Sequence, residues 1–228
     1  MGRRLVALIA CVLFLGSSVA LADDPQTSFE AAVRKTAAAK TAKIATTHKV
    51  TREGRTSGFA ASGVLAAGDS DLATDGEGGK GRRVSVGTTV KARTPDLPGS
   101  AWRATTRPQP AQTTALGELR LPDGTSIGDP KLYRSVADRG LAPLPSGDAR
   151  QLVGELDLDA VAQAMRVGGS DRARMARMSG TLTLWIAADG SVARNTLVLT
   201  IPGASGPTTI EATIDLSDLD APVSITLP

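Results

Sequence analysis

Histidine and cysteine occur once each in this 228-residue chain, as His48 and Cys11, and aromatic residues make up only 3% of it. Each scarcity removes a class of chemistry. A zinc site draws its ligands from Cys, His and carboxylates in a few set combinations, and one His with one Cys does not make a usual set, so no metal is expected. A triad of nucleophile, base and acid would depend on His48 alone. With so few groups able to exchange protons near neutrality, no catalytic residue is assigned and the chain is read as a non-enzyme. Base-stacking aromatics are as sparse as a clustered basic face, so no nucleic-acid partner is expected.

Two short motifs match chemistry by letter only. Gly76, Gly78 and Gly81 fit the dinucleotide fingerprint, but that fingerprint follows a strand and opens a helix, whereas residues after Gly81 read as a strand. The stretch is read as a hairpin loop, and no cofactor is expected. Asp69, Asp71, Asp75 and Gly76 hint at a calcium loop, yet Ala73 stands at a ligand position and Arg82 where the closing glutamate belongs. Asp215, Asp218 and Asp220 form a second acidic group, read as solvated.

The one long apolar run, Leu5 to Leu15, follows Arg3 and Arg4 and precedes Ala20-Leu21-Ala22 and Asp23. A basic start, an apolar centre and a small-x-small end predict a leader over residues 1–22, cleaved after Ala22, and therefore an exported protein of the extracellular space or cell envelope. Two rivals share the segment. Leu8-Ile9-Ala10-Cys11 fits a bacterial lipobox, which would lipidate Cys11, and Leu5 to Ala22 just reaches the length of an uncleaved anchor. Loss of the leader removes two of 26 basic residues against 23 acidic ones, so the remaining chain is almost neutral. The rest, 23–228, is read as a single domain and a monomer, long enough to bury a core without disulfides.

What is present is alternation. Leu182-Leu184-Ile186, Leu197-Leu199-Ile201, Ile210-Ile214-Leu216 and Val223-Ile225-Leu227 recur with a period of two, which predicts antiparallel strands with one apolar face. Asp189-Gly190 reads as a two-residue hairpin, setting Ile186 opposite Ala193, Leu184 opposite Asn195 and Leu182 opposite Leu197. Thr181, Thr183 and Trp185 then share the other face with Val192, Arg194 and Thr196. Upstream, strands are predicted near 42–51, 58–66, 71–74, 83–86, 89–93, 101–105 and 149–158, with bulges at Gly63 and Gly87. Three helices are expected: one capped by Thr27 with Glu30, one from Asp129-Pro130 to Gly140, and one capped by Asp159, with Asp171 to Met178 extending it. Residues 107–127 and the stretch around Pro143 and Pro145 read as loops.

A leader, one helix, a long antiparallel series, a central helical insertion and then the segment Gly180 to Gly190 with Trp185, Asp189 and Arg194 resemble the LolA-type lipoprotein carriers. The likeness is nearer to the actinobacterial cell-envelope lipoproteins of the LppX/LprG type. It also draws on Asp129-Pro130, on Ser100 to Trp102 and on Ala221-Pro222-Val223, and spans 27–228. It implies an α+β fold: a strongly curved antiparallel sheet, a half-barrel, with a few helices over its concave face and a cavity for acyl chains. The chain departs from these relatives in that Cys11 lies early, within the leader, and scarce aromatics imply an aliphatic lining. On this reading the lining is Ile44, Phe59, Leu72, Val84, Val86, Leu182, Leu184, Leu197, Leu199, Ile210 and Ile214, with His48 at the mouth. The expected function is that of a carrier or chaperone for a lipid or acylated molecule, meeting a membrane surface transiently. The alternative is an interaction or sensor module whose interior is filled by its own side chains and whose partner binds loops 107–127 or 141–148.

Overall fold

Short turns join most strands to the next, so the sheet is antiparallel throughout. The computed structural model describes residues 24–93, 101–106, 116 and 123–228; the leader with Cys11 and Ala22, and most of loop 107–127, lie outside them. The elements are α1 (Pro25–Ala37), β1 (Thr41–Arg52), β2 (Arg55–Ala66), β3 (Asp69–Gly76), β4 (Gly81–Val86), β5 (Thr89–Arg93), β6 (Arg103–Thr106), a 3-10 turn (Pro130–Leu132), β7 (Tyr133–Leu144), β8 (Gly147–Leu156), α2 (Leu158–Ala164), α3 (Gly169–Met175), β9 (Ser179–Ile186), β10 (Val192–Ile201) and β11 (Thr208–Ser217). They form one 11-stranded sheet in the order β6-β5-β4-β3-β2-β1-β11-β10-β9-β8-β7. The sheet is a curved, unclosed half-barrel with helices over its concave face. No described helix is long and apolar enough to cross a membrane.

β2 approaches its neighbours closely at two glycines. A Cβ at Gly58 would lie 2.1 Å from the His48 carbonyl oxygen, and one at Gly63 would lie 1.9 Å from that of Asp71. Only glycine lets neighbouring backbones approach that closely. The predicted bulge at Gly63 is absent: pairing runs through it unshifted, Ile44 opposite Gly63 and Gly63 opposite Leu72. Gly87 is not a bulge either but part of the turn between β4 and β5, where its N–H donates to the Asp69 carboxylate at 2.8 Å.

Helix α1 starts three residues earlier than its capping-box reading. Asp24 is the cap, accepting from the Thr27 N–H, and Pro25 occupies the first turn, where a missing N–H costs nothing. Its inner face, Phe29, Ala32 and Val33, packs with Leu132, Tyr133, Leu152, Leu182, Leu184 and Val192 in the principal core. Phe29 meets the Tyr133 ring edge-on at 4.9 Å, and burial raises the Tyr133 hydroxyl above the ordinary tyrosine range.

The β9–β10 register holds from Leu184 onward, with Leu184 opposite Asn195 and Leu182 opposite Leu197. Nearer the turn it departs: the register shifts between Val192 and Arg194, so Ile186 faces Val192 rather than Ala193. The shift turns Val192 from the outer face into the core, where it is 3% exposed. There the fully buried Thr36 hydroxyl accepts from the Val192 N–H at 2.8 Å and donates to the Ala32 carbonyl at 2.8 Å. At the same turn the Asp189 carboxylate accepts from the Ser191 hydroxyl (2.7 Å) and N–H (2.9 Å), with Lys35 of α1 at 3.4 Å.

Four further expectations are corrected. The helix expected over 129–140 is a single 3-10 turn, capped by Asp129, that runs straight into β7. That strand lies at the sheet's edge, where Pro143 is tolerated because one side needs no N–H. Consequently 141–148 is the end of the β7–β8 hairpin rather than a loop. Helix α2 is capped by Asp157, not Asp159, and α3 is separate, broken from it around Gly168. Finally, 221–228 forms no ladder, although Val223, Ile225 and Leu227 still alternate as half-buried with exposed neighbours. Both sides of β1 and β11 are already paired, and Pro222 lacks a donor.

Replacing Thr36 with Val should leave the Val192 N–H buried without an acceptor and lower stability by about 1–3 kcal/mol in denaturant titration. Asp189 gives a pH signature. Hydrogen bonds from the Ser191 hydroxyl and N–H, then Lys35, hold its carboxyl below the ordinary value of 3.8. Its charge therefore adds stability that is fully present above that pH and is lost as pH falls through the lowered folded-state value. The stability gap between wild type and Asp189→Asn should close over that acid range.

Candidate functional site

Residues directly opposite in an antiparallel pair share a face, so the register assigns every side chain to one side of the sheet. Beneath α1 lie Leu152 and Leu184, which pair with each other. Leu184 pairs on with Asn195, and Leu182 with Leu197. Asn195, Leu197 and Leu199 face Ile214, Ala212 and Ile210 of β11, and these meet Thr46, His48 and Val50 of β1. Ile44 and His48 face Gly63 and Phe59, and Gly63 faces Leu72. Ile44, Phe59, Leu72, Leu182, Leu184, Leu197, Leu199, Ile210 and Ile214 thus share the concave side, and so does His48.

Val84 and Val86 do not. Leu72 pairs with Arg83, which puts Arg83 and Ser85 on the concave side. Val84 pairs with Asp71 and Lys91, and Val86 with Thr89, on the outer face. Hydropathy alone picked the two valines; their face follows from the β3–β4 pairing, which hydropathy does not report. Val84 is nevertheless 0% exposed. Lys91, which shares its face, donates to the Pro228 carbonyl at 2.6 Å, so the 221–228 segment ends on that side of the sheet.

The concave face has two zones. Over β8 and β9 it is sealed: Leu152, Leu182 and Leu184 are at most 8% exposed under α1. From β10 to β3 the same face is more open, with Leu199, Ile210, Ile214, Ile44 and Leu72 only half-buried. Phe59 is 50% exposed and stacks flat on His48, ring centroids 4.9 Å apart. The outer face carries charge instead. Arg82 grips Asp71 through two hydrogen bonds at 2.8 and 2.6 Å, which hold the Asp71 carboxyl below the usual carboxylate range. Arg194 pairs with Asp215 at 2.5 Å and sits 6.0 Å over the Trp185 ring, the cross-strand pair expected from the sequence.

No group of His, Cys, Asp and Glu among the described residues is arranged to hold a metal ion. The acidic residues near the turns have protein partners: Asp218 pairs with Lys43 and Asp220 accepts from the Lys40 N–H. One motif escaped sequence reasoning. Gly124-Thr125-Ser126-Ile127-Gly128 matches the letters of a hydrolase nucleophile elbow. It lies in a turn leading to a 3-10 segment and an antiparallel strand, where Ser126 Oγ accepts from the Gly128 N–H at 3.2 Å, and not between a strand and a helix. Also missed was a cleft of about 620 Å³ between α3 and the end of β10, lined by Ser170, Ala173, Arg174, Arg177, Ile201, Pro202, Gly203 and Ala204. No sequence signal links α3 to the β10 end; they meet only in the fold.

No protein-family model and no curated protein sequence matches the chain. Solved structures do. The lipoprotein LppX of Mycobacterium tuberculosis superimposes with a TM-score of 0.56 at 13% identity, over 89% of this chain and 98% of that one. LprF of Mycobacterium bovis does so with a TM-score of 0.52 at 13% identity, over 90% of this chain and 96% of that one. This chain has the fold of those two structures.

Proposed function

We propose that this chain is an exported, non-enzymatic carrier or chaperone of the cell envelope that shelters the acyl chains of a lipid or acylated molecule against its concave face and meets a membrane transiently. The observation that carries the reading is the half-open zone of that face: Ile44, Phe59, Leu72, Leu199, Ile210 and Ile214 on one side of one curved sheet, beyond the part that α1 seals. The fold shared with the lipoprotein LppX and with LprF supports it. Burial of hydrocarbon yields about 0.8 kcal/mol per methylene, so an aliphatic surface suffices as a binding device without any reactive group. His48 contributes a polar edge to the same face through its stack on Phe59.

Native mass spectrometry of gently extracted protein tests the reading, with bound lipid expected on the wild type. Leu184 is too deep in the core to serve as a probe, since a charge there would unfold the chain. Leu199→Asp and Ile214→Asp, at half-buried positions, should instead leave a folded protein that has lost its lipid. A clean unliganded mass for the wild type would overturn the carrier and favour a module with a filled interior.

A further inference from the structure

Leu197, Leu199 and Ile201 descend the concave side of β10, and α3 lies against the point where that ladder ends. Ser170, Ala173, Arg174 and Arg177 are spaced so that they share one side of the helical segment. They face Ile201, Pro202, Gly203 and Ala204 across the cleft of about 620 Å³, a volume typical of small-molecule sites. The basic residues of α3 and of the turn that follows it divide by role. Arg172 is engaged in the fold, holding both carboxylate oxygens of Asp159 on α2 at 2.7 Å. Arg174 and Arg177 are exposed and make no ion pair with a described carboxylate. The acid across this rim, Glu53, accepts from the Ser205 hydroxyl at 2.7 Å and lies 3.6 Å from Arg52. Two guanidinium groups with no acidic partner among the described residues thus stand beside the last rung of an aliphatic ladder.

We infer that this cleft is the headgroup end of an amphiphile site. Arg174 and Arg177 take an anionic group, such as a phosphate, sulfate or carboxylate, of a molecule whose hydrocarbon runs along Ile201, Leu199 and Leu197. Guanidinium groups suit such oxyanions because their planar donors match them two at a time. The inference rests on the carrier reading and adds to it a preference for anionic ligands.

Calorimetry on the full chain with short-chain phospholipids below their aggregation limit separates the two. Wild type should bind dihexanoyl phosphatidylglycerol at least about tenfold more tightly than dihexanoyl phosphatidylcholine. Arg174→Gln with Arg177→Gln should erase that preference by weakening phosphatidylglycerol more than phosphatidylcholine, whose phosphate is offset by its own choline, while Arg174→Lys with Arg177→Lys keeps most of it. Equal wild-type affinities, or a preference untouched by the glutamine pair, would overturn the headgroup site and leave the carrier standing. Glycerol phosphate binding as tightly as phosphatidylglycerol would reveal a free-anion site and overturn the amphiphile. Failure of both lipids to bind the wild type would remove the carrier reading and this inference together.

Discussion

One register of backbone hydrogen bonds, unshifted from β3 through β1 and β11 to the inner part of β9, decides which side chains face the helices. Side chains alternate strictly along a strand, so a slip of one residue anywhere would exchange an aliphatic surface for a charged one. The shift at Ala193 is therefore significant. It comes at the strand end, beyond the ladder that carries Leu182, Leu184 and Leu197, and it turns Val192 inward beneath α1. The Thr36 hydroxyl then takes the Val192 N–H that α1 would otherwise bury unpaired. Helix and sheet are joined by this hydrogen bond as well as by hydrophobic contact, which sets where on the concave face the seal lies and hence where the open zone begins.

The parts of this arrangement legible in the sequence are those where local pattern and tertiary role coincide. β1, β9, β10 and β11 are each apolar on one side and polar on the other, and a period of two reports that directly. β7 defeats the same reading. Register shifts between Tyr133 and Ser135 and between Asp138 and Leu141 break its alternation, leaving Leu132, Val136 and Gly140 at a spacing that imitates a helix. For α1, Asp24-Pro25 and Thr27 to Glu30 are both valid start signals, and the one with Pro in the first turn prevails. Val84 fails for a different reason: it is buried, as an apolar residue should be, but on the outer face of a strand whose inner positions are Arg83 and Ser85. The arginine cleft was illegible because segments some thirty residues apart supply its two sides.

Over β9, β10 and β11 charge and hydrocarbon are segregated by the same register. Arg82 with Asp71, Lys49 with Glu211 and Arg194 with Asp215 all lie outside. Exposed pairs of this kind contribute little stability each, so their value is placement: they satisfy polar groups away from the face that must stay apolar. The scarcity of aromatics has a parallel effect. A lining of Ile and Leu offers area without the directional preferences of stacked rings, which suits chains that differ in length more than in shape.

That leaves the question of selectivity. An acyl chain of about sixteen carbons moved from water gains on the order of 10 kcal/mol, but a lipid leaving a bilayer exchanges one apolar surrounding for another, and most of that gain cancels. For a carrier loaded from a membrane the chain term is therefore nearly neutral. The balance between capture and release falls to groups at the rim that interact with the polar end of the ligand. In the proposed site Arg174 and Arg177 hold that position, on and just past a short helix tied to the body by the Arg172 to Asp159 pair and separated from α2 by a break around Gly168. On the proposed reading, an attachment of that kind would let an anionic membrane surface compete for the same arginines, so that the groups selecting the ligand would also be those through which it is released.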